Sequence, residues 1–298
     1  MKKTRNGVNL TKIIMCPNCN SEQFVFYDQT FSCSSCNQTN DIVANQTPIL
    51  LDKDYSLDIL KNIYGKESWE DYDYEEKTIK VAKFSKKRKT LYQRFTPSYR
   101  VQIGPTYREF LEKYNIKGYS LEVGGGPNSI NYPGLLNFDI NSYPTVDIIG
   151  DARKLPFKDQ TFEAIICNSV LEHIADVEIV VEECLRVLKN GGFIFMCVPQ
   201  VCGRHHTLDY FRWTIPGLKK VFSKYKIIDD GIILGPGMFI HHLTTSMFIT
   251  LTPSKFINKT LCFLLEWLLF PLRFLDLVGK NNKNYEDYAH TIFIIGQK

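Results

Sequence analysis

Four cysteines near the start of the chain have the spacing of a metal site. Cys16 and Cys19 are separated by two residues, Cys33 and Cys36 repeat the spacing, and residues 20–32 between the pairs are long enough for a hairpin. Each such turn aims both sulfurs at one point, and four thiolates suit a tetrahedral zinc ion better than four unrelated buried thiols would. A closed four-sulfur site keeps no open coordination position, so the expected role is structural.

A second set of polar residues sits at the ends of apolar runs. Glu122 lies in "YSLEV", which leads into Gly124, Gly125 and Gly126, a turn where absent side chains let a bound molecule approach the backbone. Asp139 closes "LLNFDI", where a carboxylate can accept hydrogen bonds from both ribose hydroxyls. Asp151 follows "VDIIG", placed to meet an adenine amino group, and Asn168 ends "FEAIICN", with Glu172 and His173 beyond it on the rim. In an open α/β sheet the ligand crevice lies outside the carboxyl ends of the strands, so four successive strand ends converge on one site.

The elements that must hold these groups follow from periodicity. From residue 119 short apolar runs alternate with amphipathic segments, the pattern of a parallel sheet covered by helices. Val177, Val180, Val181, Cys184, Leu185 and Leu188 recur at helical spacing, and Asn190-Gly191-Gly192 supplies the stop. A further helix is expected at "TIPGLKKVFSKY", and the runs "KIIDDGIIL" and "AHTIFIIGQK" are expected to pair antiparallel at the sheet edge. The predicted fold class is α/β: a Rossmann-like doubly wound sheet with an antiparallel edge strand, plus a small N-terminal zinc ribbon. Three regions follow: a ribbon over 1–52, a mainly helical linker or substrate cap over 53–117, and the sheet domain over 118–298 with an apolar insertion at 238–280.

Bulk properties exclude several classes. A net charge of +4 among 298 residues does not by itself imply nucleic acid, and "KKRK" at 86–89 reads first as a solvated helix face. Nine cysteines, five of them scattered through apolar segments, do not make a disulfide framework. The basic N-terminus has no apolar core of signal-peptide length, so a reducing cytoplasmic location is expected. Glu266, Pro271 and Arg273 break the insertion into runs shorter than the roughly 20 apolar residues a membrane span needs. It suits an interfacial element at the inner membrane face, a substrate lid or an oligomer surface.

Taken together, "LEVGGGPN", "NFDI", "VDIIGDARKLPFKDQTFEAIICNSVLEHI" and "ECLRVLKNGGFIFMCVP" resemble the class I S-adenosylmethionine (SAM)-dependent methyltransferases over roughly residues 119–234. The resemblance implies that Glu122, Gly124, Gly125 and Gly126 border the methionine part of SAM, Asp139 the ribose, Asp151 and Ala152 the adenine, and Asn168 the reactive side. "HHTLDYFRWTIPGLKKVF" is similar to a segment of methyltransferases from polysaccharide and glycolipid assembly, and the N-terminal unit is similar to zinc ribbons of the tRNA-methyltransferase activator type. One departure stands out: Asn128 replaces a glycine common in the family, and "PNSINYPG" is short for a parallel crossover, so the usual first helix is expected to shrink to a turn.

These readings converge on transfer of a methyl group from SAM to an oxygen of a glycan or lipid-linked acceptor. His173, His205, His206 and Asp209 are the candidates for taking the acceptor's proton, led by His173 and then His205 with Asp209. Arg212 is a candidate for holding an acceptor phosphate or carboxylate, and Tyr210 and Trp213 for stacking. Two alternatives stay open: an RNA (rRNA or tRNA) methyltransferase, suggested by the ribbon and "KKRK", and a catalytically silent SAM-binding scaffold, suggested by Asn128.

Overall fold

The computed structural model describes residues 4–27, 30–43, 47–51, 72–73, 78–79, 101–141, 143–206, 208–250 and 254–298. Its strands are β1 (Phe24–Phe26), β2 (Thr30–Cys33), β3 (Thr39–Val43), β4 (Thr47–Leu50), β5 (Tyr72–Asp73), β6 (Thr78–Ile79), β7 (Ser120–Val123), β8 (Leu135–Asp139), β9 (Ile148–Gly150), β10 (Phe162–Asn168), β11 (Leu188–Pro199), β12 (Lys226–Leu234) and β13 (Thr291–Gln297). The α-helices are α1 (Tyr107–Lys113), α2 (Val177–Val187), α3 (Ile215–Val221), α4 (Pro236–Thr250), α5 (Lys255–Leu269) and α6 (Leu275–Gly279).

Eleven strands form one sheet in the order β1-β2-β3-β4-β9-β8-β7-β10-β11-β13-β12. The stretch from β4 through β11 is parallel, which forces the chain to cross over between strands and buries both faces. Alternation along β10 shows the two cores: Ile165 and Cys167 pack on the side of α2 and α3, whereas Ala164 and Ile166 pack on the side of α1. β12 and β13 pair antiparallel as expected, but at this end of the sheet the strand running against β11 is β13, which inserts between β11 and the edge strand β12.

Three local expectations need correction. The helix expected through Leu188 ends at Val187; Leu188 opens β11 opposite Phe162, and the Asn190-Gly191-Gly192 stretch becomes a shift in register with Gly191 at a φ of +78°. Within the expected helical linker, β5 and β6 pair antiparallel, while "KKRK" lies outside the described residues. The N-terminal cysteine unit packs as part of the large sheet. β4 pairs in parallel with β9, Ile49 opposite Ile149 and Leu50 opposite Gly150, and Val8, Leu10, Ile13, Ile14 and Phe31 share a core with Phe138 and Phe157. The apolar run "TPILL" is buried along its length, and pairing it with the sheet's open edge satisfies its backbone and covers that edge at once.

The 238–280 insertion is tied down by buried charges. Arg273, 4% exposed, donates to Glu266 at 2.7 Å, and His241 lies 3.0 Å from the same carboxylate, which joins α4, α5 and the turn after it. Asp276, fully buried, accepts from the Gly237 and Met238 amides at 2.7 and 3.2 Å, satisfying donors at the start of α4 that a helix leaves unpaired. Leu243, Met247, Leu264, Trp267, Leu268 and Val278 remain exposed. Among the described residues no helix is long and apolar enough to cross a membrane.

Candidate active site

Two clefts open at the carboxyl ends of the parallel strands and meet at Ser169. The first is bordered by Gly124, Asp139, Ala152, Ser169, Val170 and His173. The second is bordered by Asn168, Ser169, Glu172, His205, His242 and His290. Ser169, which the sequence did not single out, holds a φ of +57°, and its amide donates to the Cys197 carbonyl at 2.8 Å. A non-glycine residue in that conformation costs on the order of 1–3 kcal/mol, so the surrounding structure must hold it there.

The glycine turn is built as much against its own fold as against a ligand. Gly124 has a φ of +70° and borders the first cleft, and a Cβ there would lie 2.3 Å from Val170 Cγ2. Beneath Gly125 lie Asn137 Oδ1 and Glu122 Cδ, which a Cβ would meet at 2.5 and 2.8 Å. The chain then makes a single 3-10 turn over Gly126–Asn128 instead of a first helix, as the short crossover predicts.

Asp139 organises this turn. Its carboxylate accepts from the Gly126 amide at 2.9 Å and the Asn141 amide at 2.7 Å, and it still borders the cleft with lone pairs to spare for two hydroxyls. Burial pushes its acid up from the ordinary aspartate value, against the pull of those amides. Glu122 lies below the turn, 4% exposed, and accepts from the Ser129 hydroxyl; it does not border either cleft.

Asp151 follows its strand as expected, but its carboxylate meets a partner within the chain. Its carboxylate is taken by Arg153, whose Nη2 and Nε donate at 2.6 and 3.1 Å, and the neighbours Gly150 and Ala152 border the cleft in its stead. A buried carboxylate one residue past a strand end finds the nearest guanidinium when a two-residue turn offers one. Asn168 borders the second cleft and not the first.

The proton-handling candidates cluster. His173 Nδ1 pairs with the Leu208 carbonyl at 2.6 Å, and burial pulls this imidazole down from its usual value, favouring the neutral ring. His205 Nδ1 lies 3.4 Å from Asp209 Oδ2, and His206 borders the first cleft. Arg212 is not free for an acceptor anion: its Nη2 donates to Asp209 at 2.7 Å, which holds that acid well below the usual carboxylate range. Trp213 packs against the core, Tyr210 is exposed, and neither borders either cleft. Glu172, expected on the rim, is fully buried beneath the histidines, and burial pushes it up to about 7.

Burial also pushes Glu122 up to about 7 from 4.5. The folded state then binds a proton that the unfolded state releases, so this contribution to stability is present below pH 4.5 and is lost as pH rises through about 7. Urea unfolding should show Glu122→Gln retaining on the order of 2–3 kcal/mol that the parent loses across that range. Equal losses in the two proteins would remove Glu122 as the group responsible.

At the other end of the sheet, the four cysteine sulfurs lie within 4.8 Å of one another. Cys16 to Cys36 is 3.7 Å and Cys19 to Cys33 is 3.5 Å. Metal–sulfur bonds of about 2.3 Å directed to a tetrahedron place sulfurs about 3.8 Å apart, so the donor set fits an ion at its centre.

Residues 133–196 match the family described as Methyltransferase domain. The matched segment runs from just before β8 into β11 and contains Asp139, Ser169, Glu172 and His173. Demethylmenaquinone methyltransferase of Bacillus licheniformis is 30% identical over 131 residues, covering 41% of this chain and 56% of that protein. The Streptomyces avermitilis protein of the same name is 37% identical over 65 residues, 22% of this chain and 28% of its own. The chain therefore spans about half or less of the length of these relatives. Among solved structures, a complex of the Haloferax volcanii Trm112 methyltransferase activator with a methyltransferase aligns at a TM-score of 0.40 and 16% identity, over 64% of this chain and 88% of that one. A Haemonchus contortus phosphoethanolamine N-methyltransferase aligns at a TM-score of 0.41 and 14% identity, over 64% and 52%.

Proposed function

We propose that the protein is a SAM-dependent methyltransferase that methylates an oxygen of a glycan or lipid-linked acceptor. The observation that carries the reading is the pair of clefts joined at Ser169, one with a ribose-type carboxylate beside a glycine turn, the other with histidines above a buried acid. SAM, when bound, supplies an electrophilic methyl on a sulfonium. The protein's part is to hold nucleophile and methyl in line and to keep water out.

Asp139 and the Gly124–Gly126 turn would hold the nucleoside and methionine portions, with Gly150 and Ala152 leaving room for the base. Ser169, between the clefts, would set the line of approach. The acceptor would enter the second cleft, where the Glu172–His173–His205 group receives its proton. The insertion contributes His242 to that cleft and turns an exposed apolar face outward, which favours an acceptor with an apolar tail or a peripheral membrane contact. The four cysteines would hold a structural zinc ion.

Calorimetric titration with SAM and its demethylated product tests the cofactor, and labelled-methyl transfer into fractionated lipid, glycan and RNA tests the acceptor. Label in lipid or glycan is the expected result. Label confined to RNA would replace the acceptor class, and a folded protein that binds neither cofactor form would end the methyltransferase reading.

A further inference from the structure

Glu172 has a fully buried side chain, and among the described residues neither of its oxygens meets a hydrogen-bond donor. Leaving a buried carboxylate without partners costs several kcal/mol, so such a group is normally explained by something that completes it. Two imidazoles face it. His173 Nε2 lies 3.8 Å and His205 Nε2 4.0 Å from the same Glu172 Oε1, beyond hydrogen-bond reach.

The far side of each ring is already committed. The Leu208 carbonyl can only accept, so His173 must donate through Nδ1, and its neutral ring keeps a lone pair on Nε2. The Gly203 carbonyl, 3.4 Å from His205 Nδ1, likewise can only accept, and Asp209, itself held by Arg212, accepts from the His205 amide at 3.1 Å. A histidine whose other nitrogen donates to a carbonyl or carboxylate is the arrangement that orients metal-binding imidazoles. Bonds of about 2.1 Å directed to a tetrahedron place nitrogen and oxygen donors about 3.4 Å apart, and the three donor atoms all lie within 4.8 Å of one another, so side-chain shifts of up to about 1 Å close the site on an ion.

We propose that Glu172, His173 and His205 bind a divalent transition-metal ion whose remaining coordination positions open to the second cleft. Two imidazoles and one carboxylate suit zinc or iron(II), and three protein ligands leave room for an oxygen from outside. Its use in catalysis rests on the methyltransferase reading: a hydroxyl bound there would give up its proton more readily, to water at the cleft mouth, and with the ion bound the two histidines would serve as ligands in place of the proton acceptors they are without it. The binding itself does not rest on that reading.

The test is zinc content per chain after equilibration of the full-length protein with zinc and removal of loosely bound metal. The expected result is two ions in the parent and one in Glu172→Gln, with an unchanged circular dichroism spectrum. His205→Ala, at a residue whose side chain is 45% exposed, should also give one and keeps the test open if the buried substitution misfolds. One ion in the parent, or a second that persists in both variants, overturns the site and indicates a buried acid completed by water. Two ions in a protein that does not bind SAM would leave the metal site standing and sink the methyltransferase reading.

Discussion

Cys33→Ser is expected to lower the thermal midpoint of the whole sheet domain by roughly 10–20 °C, because a structural zinc site supplies several kcal/mol and each costs about 2–4 °C in a domain of this size. A ribbon on a flexible tether would melt alone. Here β4 lies against β9 with Leu50 opposite Gly150, and Phe31 and Leu50 pack in one core with Phe138 and Phe157. Gly150 also borders the first cleft, and Phe138 and the Leu50 carbonyl fill the space where its side chain would stand. Loss of the proposed zinc ion should therefore weaken SAM binding along with stability. Scanning calorimetry with and without a strong chelator checks this. Two separate transitions, the upper one unmoved by chelation, would mean that the cysteine unit folds on its own.

Asp139→Ala should reduce affinity for SAM and for its demethylated product about 100-fold, near the top of what one charged hydrogen-bonding group contributes. The carboxylate has two tasks: it faces the cleft, and it holds the Gly126 and Asn141 amides that shape the turn. Asp139→Asn keeps an acceptor for one of those amides and should lose less. Asp151→Ala should disturb cofactor affinity little, since that carboxylate is spent on Arg153, and should show instead as lost stability. Calorimetric titration of the three variants separates the cases. Equal losses at Asp139 and Asp151 would put both acids on the ligand.

The elements were legible where local rules suffice. β10 reads as a mainly apolar run ending in Asn168, α2 as valines and a cysteine at helical spacing, and the 3-10 turn at Gly126–Asn128 as a crossover too short for a helix. The boundary between α2 and β11 was not, because pairing Leu188 with Phe162 competes with one more helical residue and only the neighbouring strand settles it. Asp139 and Asp151 both kept their expected positions since strand ends dictate them. The partner of the Asp151 carboxylate was not legible, since an arginine two residues on reaches it and the sequence cannot rank that partner against an adenine.

Residue order alone carried the paired cysteine turns, the succession of strand-end acids and glycines, and the α/β architecture, because these depend on spacing along one chain and on which faces must leave water. Contacts between distant segments decided the rest. The seam between β4 and β9, the left-handed turn at Ser169, and the burial of Glu172 under two histidines some thirty residues apart arise only when separate strands and loops are packed together, where the cost of an unpaired polar group is finally set.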